Sequence, residues 1–169
     1  MTIKKTMFCF LFLLLSVAGI AQQTKSFLVT GAVVKQQTIN TESLKNFKVY
    51  NIDSLNVTSH TGMFKHKDGK LKGVLLKDVL SNTRFKVSSP KLLSELYFVC
   101  IANDGYKVVY SWNELYNTIV GETVYLLVEK NGKSINDMPE SIQMLSAKDY
   151  KTGRRYLHNL SKIIVGQAP

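Results

Sequence analysis

The sequence predicts an α+β fold: a single mixed or antiparallel β domain with short helices. Three observations lead to this prediction. Short runs of β-branched and apolar residues recur along the 169-residue chain, hairpin turns separate many of them, and the helical signals are brief. The length suits one domain with a real core. The composition, 45% hydrophobic and 20% charged, excludes collagen-like, disulfide-rich and disordered chains.

Residues 1–21 have the pattern of a signal peptide. A positively charged start precedes an apolar run over residues 7–18, and Gly19 and Ala21 occupy the −3 and −1 positions of a cleavage site. The run is short for a membrane span. We therefore expect a secreted or periplasmic domain over residues 22–169, with no stable membrane span after cleavage. An uncleaved anchor is the alternative.

The chain is strongly basic, with a formal net charge of +10. Cleavage of the predicted signal would remove two lysines and no acidic residue, which leaves +8. This charge favours an anionic small molecule, a membrane surface or an acidic protein as partner. The lysines are spread along the chain, so a basic exported protein without a specific partner is the alternative. No nucleic-acid-binding motif accompanies the charge, and we expect no nucleic acid partner.

The first half of the chain is predicted to be mostly extended. A buried strand comes first, then a helical turn, then a strand interrupted by a bulge, a loop or ribbon that turns at Asp68-Gly69, and a stretch with helical spacing. These five segments are residues 27–34, 41–47, 47–59, 60–72 and 76–80.

The second half carries stronger local signals. Ser89-Pro90 is a typical helix start. Ser111 and Glu114 match a capping box for a short helix through Tyr116. Asn131-Gly132 is a hairpin turn. The predicted strands cover residues 96–102, 107–110, 123–129, 142–145 and 155–165, and the first two form a hairpin.

One cysteine, Cys100, remains after the predicted signal peptide, so an internal disulfide is excluded. It lies within the apolar run 96–102. This context predicts a buried thiol that packs as a small hydrophobic group. A metal ligand or reactive thiol is the alternative, and it would need an electropositive, accessible setting.

The densest polar cluster covers residues 149–155. Lys151, Arg154 and Arg155 could together hold an anion, because the guanidinium matches phosphate geometry and Lys adds a point charge. The alternative is an exposed turn at Gly153 before the last strand.

Asp104-Gly105-Tyr106 has a structural and a functional interpretation. Asp-Gly tolerates the positive φ of a tight hairpin. In the functional interpretation, Asp104 and Tyr106 line a pocket at the hairpin tip. His60 and His66 are six residues apart with no thiolate nearby, so we predict a polar surface loop and no metal site there.

The order of several segments resembles the molybdopterin-binding domain of the sulfite oxidase superfamily. After the first strand come Gly-Val-Leu-Leu within the apolar segment 71–80, the strand ending in Asp-Gly-Tyr at 99–106, the strand and Asn-Gly turn at 126–132, and the basic turn and strand at 149–165. The resemblance implies the fold of that domain and places molybdopterin among the possible cofactors.

The family's enzymes hold molybdenum through a cysteine thiolate that precedes the Gly-Val segment. The corresponding stretch here, residues 57–62, contains no cysteine, and Cys100 lies one strand too late. Thiolate is the soft ligand that this site requires. We therefore expect a binding module for an anionic small ligand, with Asp104, Tyr106, Lys151, Arg154 and Arg155 as its binding residues. A protein partner is possible. The alternative is a molybdopterin-dependent oxidoreductase with an atypical metal site.

Overall fold

The structure is a computed structural model that describes residues 23–169. The predicted signal peptide lies outside the described residues. These residues form mostly β-structure with a few short helices, which is compatible with a single α+β domain. The strands are β1 Ser26–Gly31, β2 Gln37–Asn40, β3 Val49–Thr58, β4 Phe64–Leu75, β5 Leu96–Ala102, β6 Lys107–Ser111, β7 Val124–Lys130, β8 Lys133–Ser134, β9 Met144–Ser146 and β10 Leu160–Gln167.

The helices are short. The α-helices are α1 Leu76–Val79 and α2 Trp112–Tyr116, and the 3₁₀ helices are Ser43–Asn46, Pro90–Glu95, Ile119–Thr123 and Thr152–Arg155. None of the helices described over residues 23–169 is long and apolar enough to cross a membrane.

The strands form two five-stranded sheets. The first has the order β2-β1-β10-β5-β6, in which β1 and β10 are parallel and the other pairs antiparallel. The second has the order β3-β4-β7-β8, with β9 also pairing with β7. The mixed character predicted from the sequence is therefore present in the first sheet.

The core contains buried side chains from both sheets. In β5, alternate residues are buried, so Phe98 and Cys100 point inward while Tyr97 is exposed. Ile163 and Val165 of β10 follow the same alternation. This period of two is the pattern that made these strands visible in the sequence.

The local signals of the second half are confirmed. Ser111 and Glu114 form the reciprocal capping box at the start of α2. β5 and β6 form the predicted hairpin. Asn131 and Gly132 have φ values of 53° and 78°, as a two-residue hairpin with two left-handed positions requires. The predicted helix at Pro90 is a 3₁₀ helix.

The predicted turn at Asp68-Gly69 is wrong. β4 continues through it, with Asp68 opposite Leu55 and Gly69 opposite Ser54 of β3, and the next residue, Lys70, forms a β-bulge with a φ of +48°. The turn lies earlier, at residues 59–63, where Gly62 has a φ of +100°. Tertiary contacts of the buried Asp68, described below, override its preference for turns.

The last strand begins later than predicted, at Leu160, because residues 152–155 form a 3₁₀ turn. β2 was not predicted; its sequence Gln-Thr-Ile-Asn contains one apolar residue.

The β3–β4 hairpin positions the candidate site. β4 pairs with β7 from Lys72 to Leu75, so within residues 23–169 the segment 64–71 pairs with β3 alone. The far end of the hairpin therefore extends beyond the part of β4 that pairs with β7. We call residues 59–67 the ribbon tip and residues 148–155 the basic turn.

Candidate anion site

Thr152 fixes the basic turn on the end of β3. Its side chain is buried, and its hydroxyl donates to the backbone oxygen of Asn56 at 2.7 Å. The Thr152 hydroxyl oxygen also accepts a hydrogen bond from the backbone N–H of Thr58 at 3.0 Å. Thr152 thus bonds one backbone N–H and one backbone carbonyl of β3, and these two bonds hold the basic turn against the ribbon.

Gly153 permits this close approach. A Cβ atom at Gly153 would lie 2.0 Å from the backbone oxygen of Thr58, which is far inside van der Waals contact. Only glycine fits between the turn and the strand. The sequence interpretation of Gly153 as a turn residue is correct, and its further role is close packing on β3.

Arg154 joins three segments. Its Nε donates to the backbone oxygen of His60 in the ribbon tip at 3.2 Å. Its own backbone oxygen accepts a hydrogen bond from the Tyr106 hydroxyl at 2.6 Å. Arg154 is exposed, and no carboxylate among the described residues forms an ion pair with it. Its remaining N–H groups are therefore available to an external acceptor.

Lys151 lies beside the ribbon tip. A Cβ atom at Gly62 would lie 3.7 Å from the Lys151 Cε, so the lysine stem runs along the Gly62 backbone. Within residues 23–169, Lys151 has no acidic partner in an ion pair. Lys151 and Arg154 thus place two unpaired positive charges against the same loop.

Asp104 shapes the β5–β6 turn. Its Oδ1 accepts a hydrogen bond from the backbone N–H of Tyr106 at 2.9 Å, and Gly105 has a φ of +88°. The structural interpretation of Asp-Gly is therefore confirmed. This hairpin turn also places the Tyr106 hydroxyl within hydrogen-bond distance of the Arg154 backbone oxygen.

Arg155 has a different set of contacts from its neighbour. Its guanidinium donates to both carboxylate oxygens of Asp149 at 2.6 Å and to Glu114 of α2 at 3.0 Å, and it lies 4.5 Å from the centroid of the Tyr110 ring. Hydrogen bonding to Asp149 holds the pKa of Arg155 above its ordinary value. Arg155 therefore anchors the basic turn to the domain, while Tyr106, Lys151 and Arg154 come together at the ribbon tip.

The residues of the ribbon tip do not supply a thiolate ligand. The Ser59 hydroxyl is within the loop, 2.7 Å from the Thr61 hydroxyl, and accepts from the N–H of Met63 at 3.1 Å. His60 is exposed, and His66 has its Nε2 3.6 Å from Asp68. In the described part of the chain, no group of three or more His, Cys, Asp or Glu residues could hold a metal ion. These donors do not fit a thiolate-held molybdenum.

Cys100 is fully buried in the middle of β5. Burial raises the pKa of its thiol to about 12. The nucleophilic thiolate is therefore scarce at neutral pH, and reagents cannot reach it.

We expect Cys100 to remain unmodified by iodoacetamide in the native protein at pH 8, and to react fully in urea. Mass spectrometry of the peptide that contains Cys100 measures this directly and separates it from Cys9. Modification at the same rate in both conditions would contradict the buried interpretation.

A second polar cluster was missed from the sequence. The Lys130 Nζ lies 3.1 Å from the Asp68 Oδ2, 2.9 Å from the Tyr156 hydroxyl and 3.3 Å from the Gln143 Oε1. The Tyr156 hydroxyl also lies 2.9 Å from the same Asp68 oxygen. Burial raises the pKa of Tyr156, so its hydroxyl stays a neutral donor.

This cluster joins β4 and β7 beyond the end of their backbone hydrogen bonding. Asp68 belongs to β4 and Lys130 to β7, beyond the segment in which the two strands pair. The partners satisfy one another, which is typical of a structural network. No sequence signal pointed to it, because its members are far apart in the chain.

No protein-family model matches the sequence, and no curated protein matches it significantly. The fold is similar to that of the sulfane dehydrogenase SoxCD from Paracoccus pantotrophus in its crystal structure, with a TM-score of 0.61 and 13% sequence identity. The alignment covers 87% of this chain and 40% of that chain. At this identity the likeness concerns the fold alone.

Proposed function

We propose that this domain is a non-catalytic binding module for a small oxyanion, which it binds after export. The observation that carries the proposal is the convergence of Lys151 and Arg154 on the ribbon tip, with no acidic side chain of residues 23–169 paired to either. Arg offers planar N–H donors to an oxyanion, and Lys offers a mobile point charge.

The supporting residues hold the turn that carries the two cations in place. Thr152 and Gly153 seat the turn on β3, and the Arg155 pair with Asp149 holds its other side. Tyr106 adds a bond to the Arg154 backbone. A preformed site loses less side-chain freedom on binding than two free surface cations would.

The donor chemistry disfavours the oxidoreductase alternative. The predicted family ligand is a thiolate, and the loop that would carry it presents a serine engaged in its own turn and an exposed histidine. Metal analysis of protein isolated from its native compartment tests this point: stoichiometric molybdenum would favour the oxidoreductase. N-terminal sequencing of the same preparation tests export, with Gln22 expected as the first residue.

Phosphate and sulfate are expected to raise the Tm of the protein, because an anion that binds only the folded state stabilises it. The Arg154→Gln variant should lose most of the shift. A hydrogen bond from a charged group contributes about 1.5–3 kcal/mol, so its loss weakens the Kd by roughly tenfold or more. Differential scanning fluorimetry at constant ionic strength measures both effects.

Lys35→Gln is the matched control, since Lys35 is an exposed lysine in the loop between β1 and β2. It removes one positive charge and should leave the anion-dependent shift intact. Equal shifts in wild type and Arg154→Gln would refute the site. Equal losses in Arg154→Gln and Lys35→Gln would indicate a general charge effect.

A further inference from the structure

The ribbon tip exposes two large apolar side chains beside its cations. Met63 and Phe64 are 70% and 65% exposed. Tyr150, in the basic turn that packs on the tip, is fully exposed at 102%. In the described part of the chain no strand other than β3 pairs with this end of β4, and the exposure of its apolar residues has an energetic cost of solvation.

The cations around these side chains are unpaired. Lys65 and Lys67 of the tip and Lys148 of the basic turn are exposed, and none of them forms an ion pair with another described residue. The two nearby carboxylates are engaged, Asp68 with Lys130 and Asp149 with Arg155. The ribbon tip and the basic turn therefore present net positive charge beside exposed apolar side chains.

We propose that the ribbon tip docks on an anionic lipid bilayer, with Met63, Phe64 and Tyr150 entering the interface and the lysines contacting the headgroups. Aromatic and apolar side chains on a protruding loop suit the headgroup boundary, and each basic residue near an anionic surface adds attraction. A protein partner would need an acidic surface with an apolar pocket to match this patch. This proposal does not depend on the small-anion site.

The test places a fluorescent reporter on the tip of the full chain. Phe64→Trp is mixed with vesicles of phosphatidylglycerol and of phosphatidylcholine, each containing brominated acyl chains that quench an inserted tryptophan. Ile119→Trp is the matched control, because Ile119 is also apolar and 78% exposed but lies in the 3₁₀ helix Ile119–Thr123. The emission of the native Trp112 is subtracted by use of wild type.

We expect a blue shift and loss of emission for Phe64→Trp with phosphatidylglycerol only, and neither for Ile119→Trp. The local reporter separates tip insertion from binding through the apolar run at residues 7–18. Vesicle binding without quenching at position 64, or equal quenching at both positions, would overturn the proposal. Binding of the protein to polyglutamate, without quenching of the tryptophan at position 64 by vesicles, would also overturn the proposal and would indicate an acidic protein partner.

Charge variants test the electrostatic half. Lys65→Gln combined with Lys67→Gln should weaken binding to phosphatidylglycerol vesicles roughly thirtyfold, the equivalent of about 1 kcal/mol for each lysine. Lys35→Gln combined with Lys91→Gln is the control of equal charge, and it should bind as wild type does. Equal weakening in both pairs would overturn a specific face. Both double variants should keep the oxyanion-dependent Tm shift. Arg154→Gln should lose that shift and should keep the quenching of a tryptophan at position 64. The two proposals can therefore fail separately.

Discussion

Replacing Lys130 by methionine is expected to lower the free energy of unfolding by about 3 kcal/mol or more. The ammonium group lies 3.1 Å from the Asp68 carboxylate, and the two side chains are 17% and 5% exposed. Without Lys130, the buried carboxylate keeps the Tyr156 hydroxyl as a hydrogen-bond donor but loses its counter-charge. Removing one partner of a buried ion pair is costly because the other charge remains away from water. Urea unfolding followed by circular dichroism measures the loss.

Lys72→Met is the matched control for this prediction. Lys72 also pairs with a carboxylate across β4 and β7, but this Lys72–Glu129 pair is more exposed, at 47% and 29%. Exposed pairs contribute about 0–1 kcal/mol. A loss at Lys130 no greater than that at Lys72 would mean that the buried network contributes little to stability.

The Gly153→Ala variant is expected to lose about 1–3 kcal/mol of stability and most of its oxyanion affinity. The new Cβ would lie 2.0 Å from the Thr58 backbone oxygen, so the basic turn must move away from β3. That movement strains the Thr152 hydrogen bonds and shifts Arg154 relative to His60. Chemical unfolding and the anion-dependent Tm shift report the two effects separately.

Gly69→Ala controls for the loss of a glycine in the same hairpin. A Cβ at Gly69 meets nothing closer than the Asn131 side-chain oxygen at 3.9 Å, so no backbone movement is required. We expect stability and anion response close to wild type. If Gly69→Ala and Gly153→Ala behave alike, close packing of the turn on β3 is not what holds the site.

The sequence predicts best where neighbouring residues decide the structure. The capping box at Ser111, the Asn131-Gly132 turn and the β5–β6 hairpin each depend on residues a few positions apart, and all three are present. Asp68-Gly69 carries an equally strong local signal, yet it lies within the continuous strand β4. Its outcome depends on Lys130 and Tyr156, which no local pattern connects to it.

The candidate site shows the same limit. The cluster of basic residues in the turn was visible in the sequence, but the separate roles of Arg154 and Arg155 were not. Arg155 is bound partly by Glu114, which is distant in the chain, and Arg154 meets the ribbon tip through His60. Adjacent residues of one type thus acquire different tasks from the segments that fold against them.

The parallel pairing of β1 with β10 ties the beginning of the domain to its end. Leu28 stands opposite Lys162, and β10 also carries the pairing with β5. During synthesis, the first sheet therefore cannot close until the final strand has left the ribosome. Loss of the final strand would divide the sheet into two unconnected halves, β2-β1 and β5-β6.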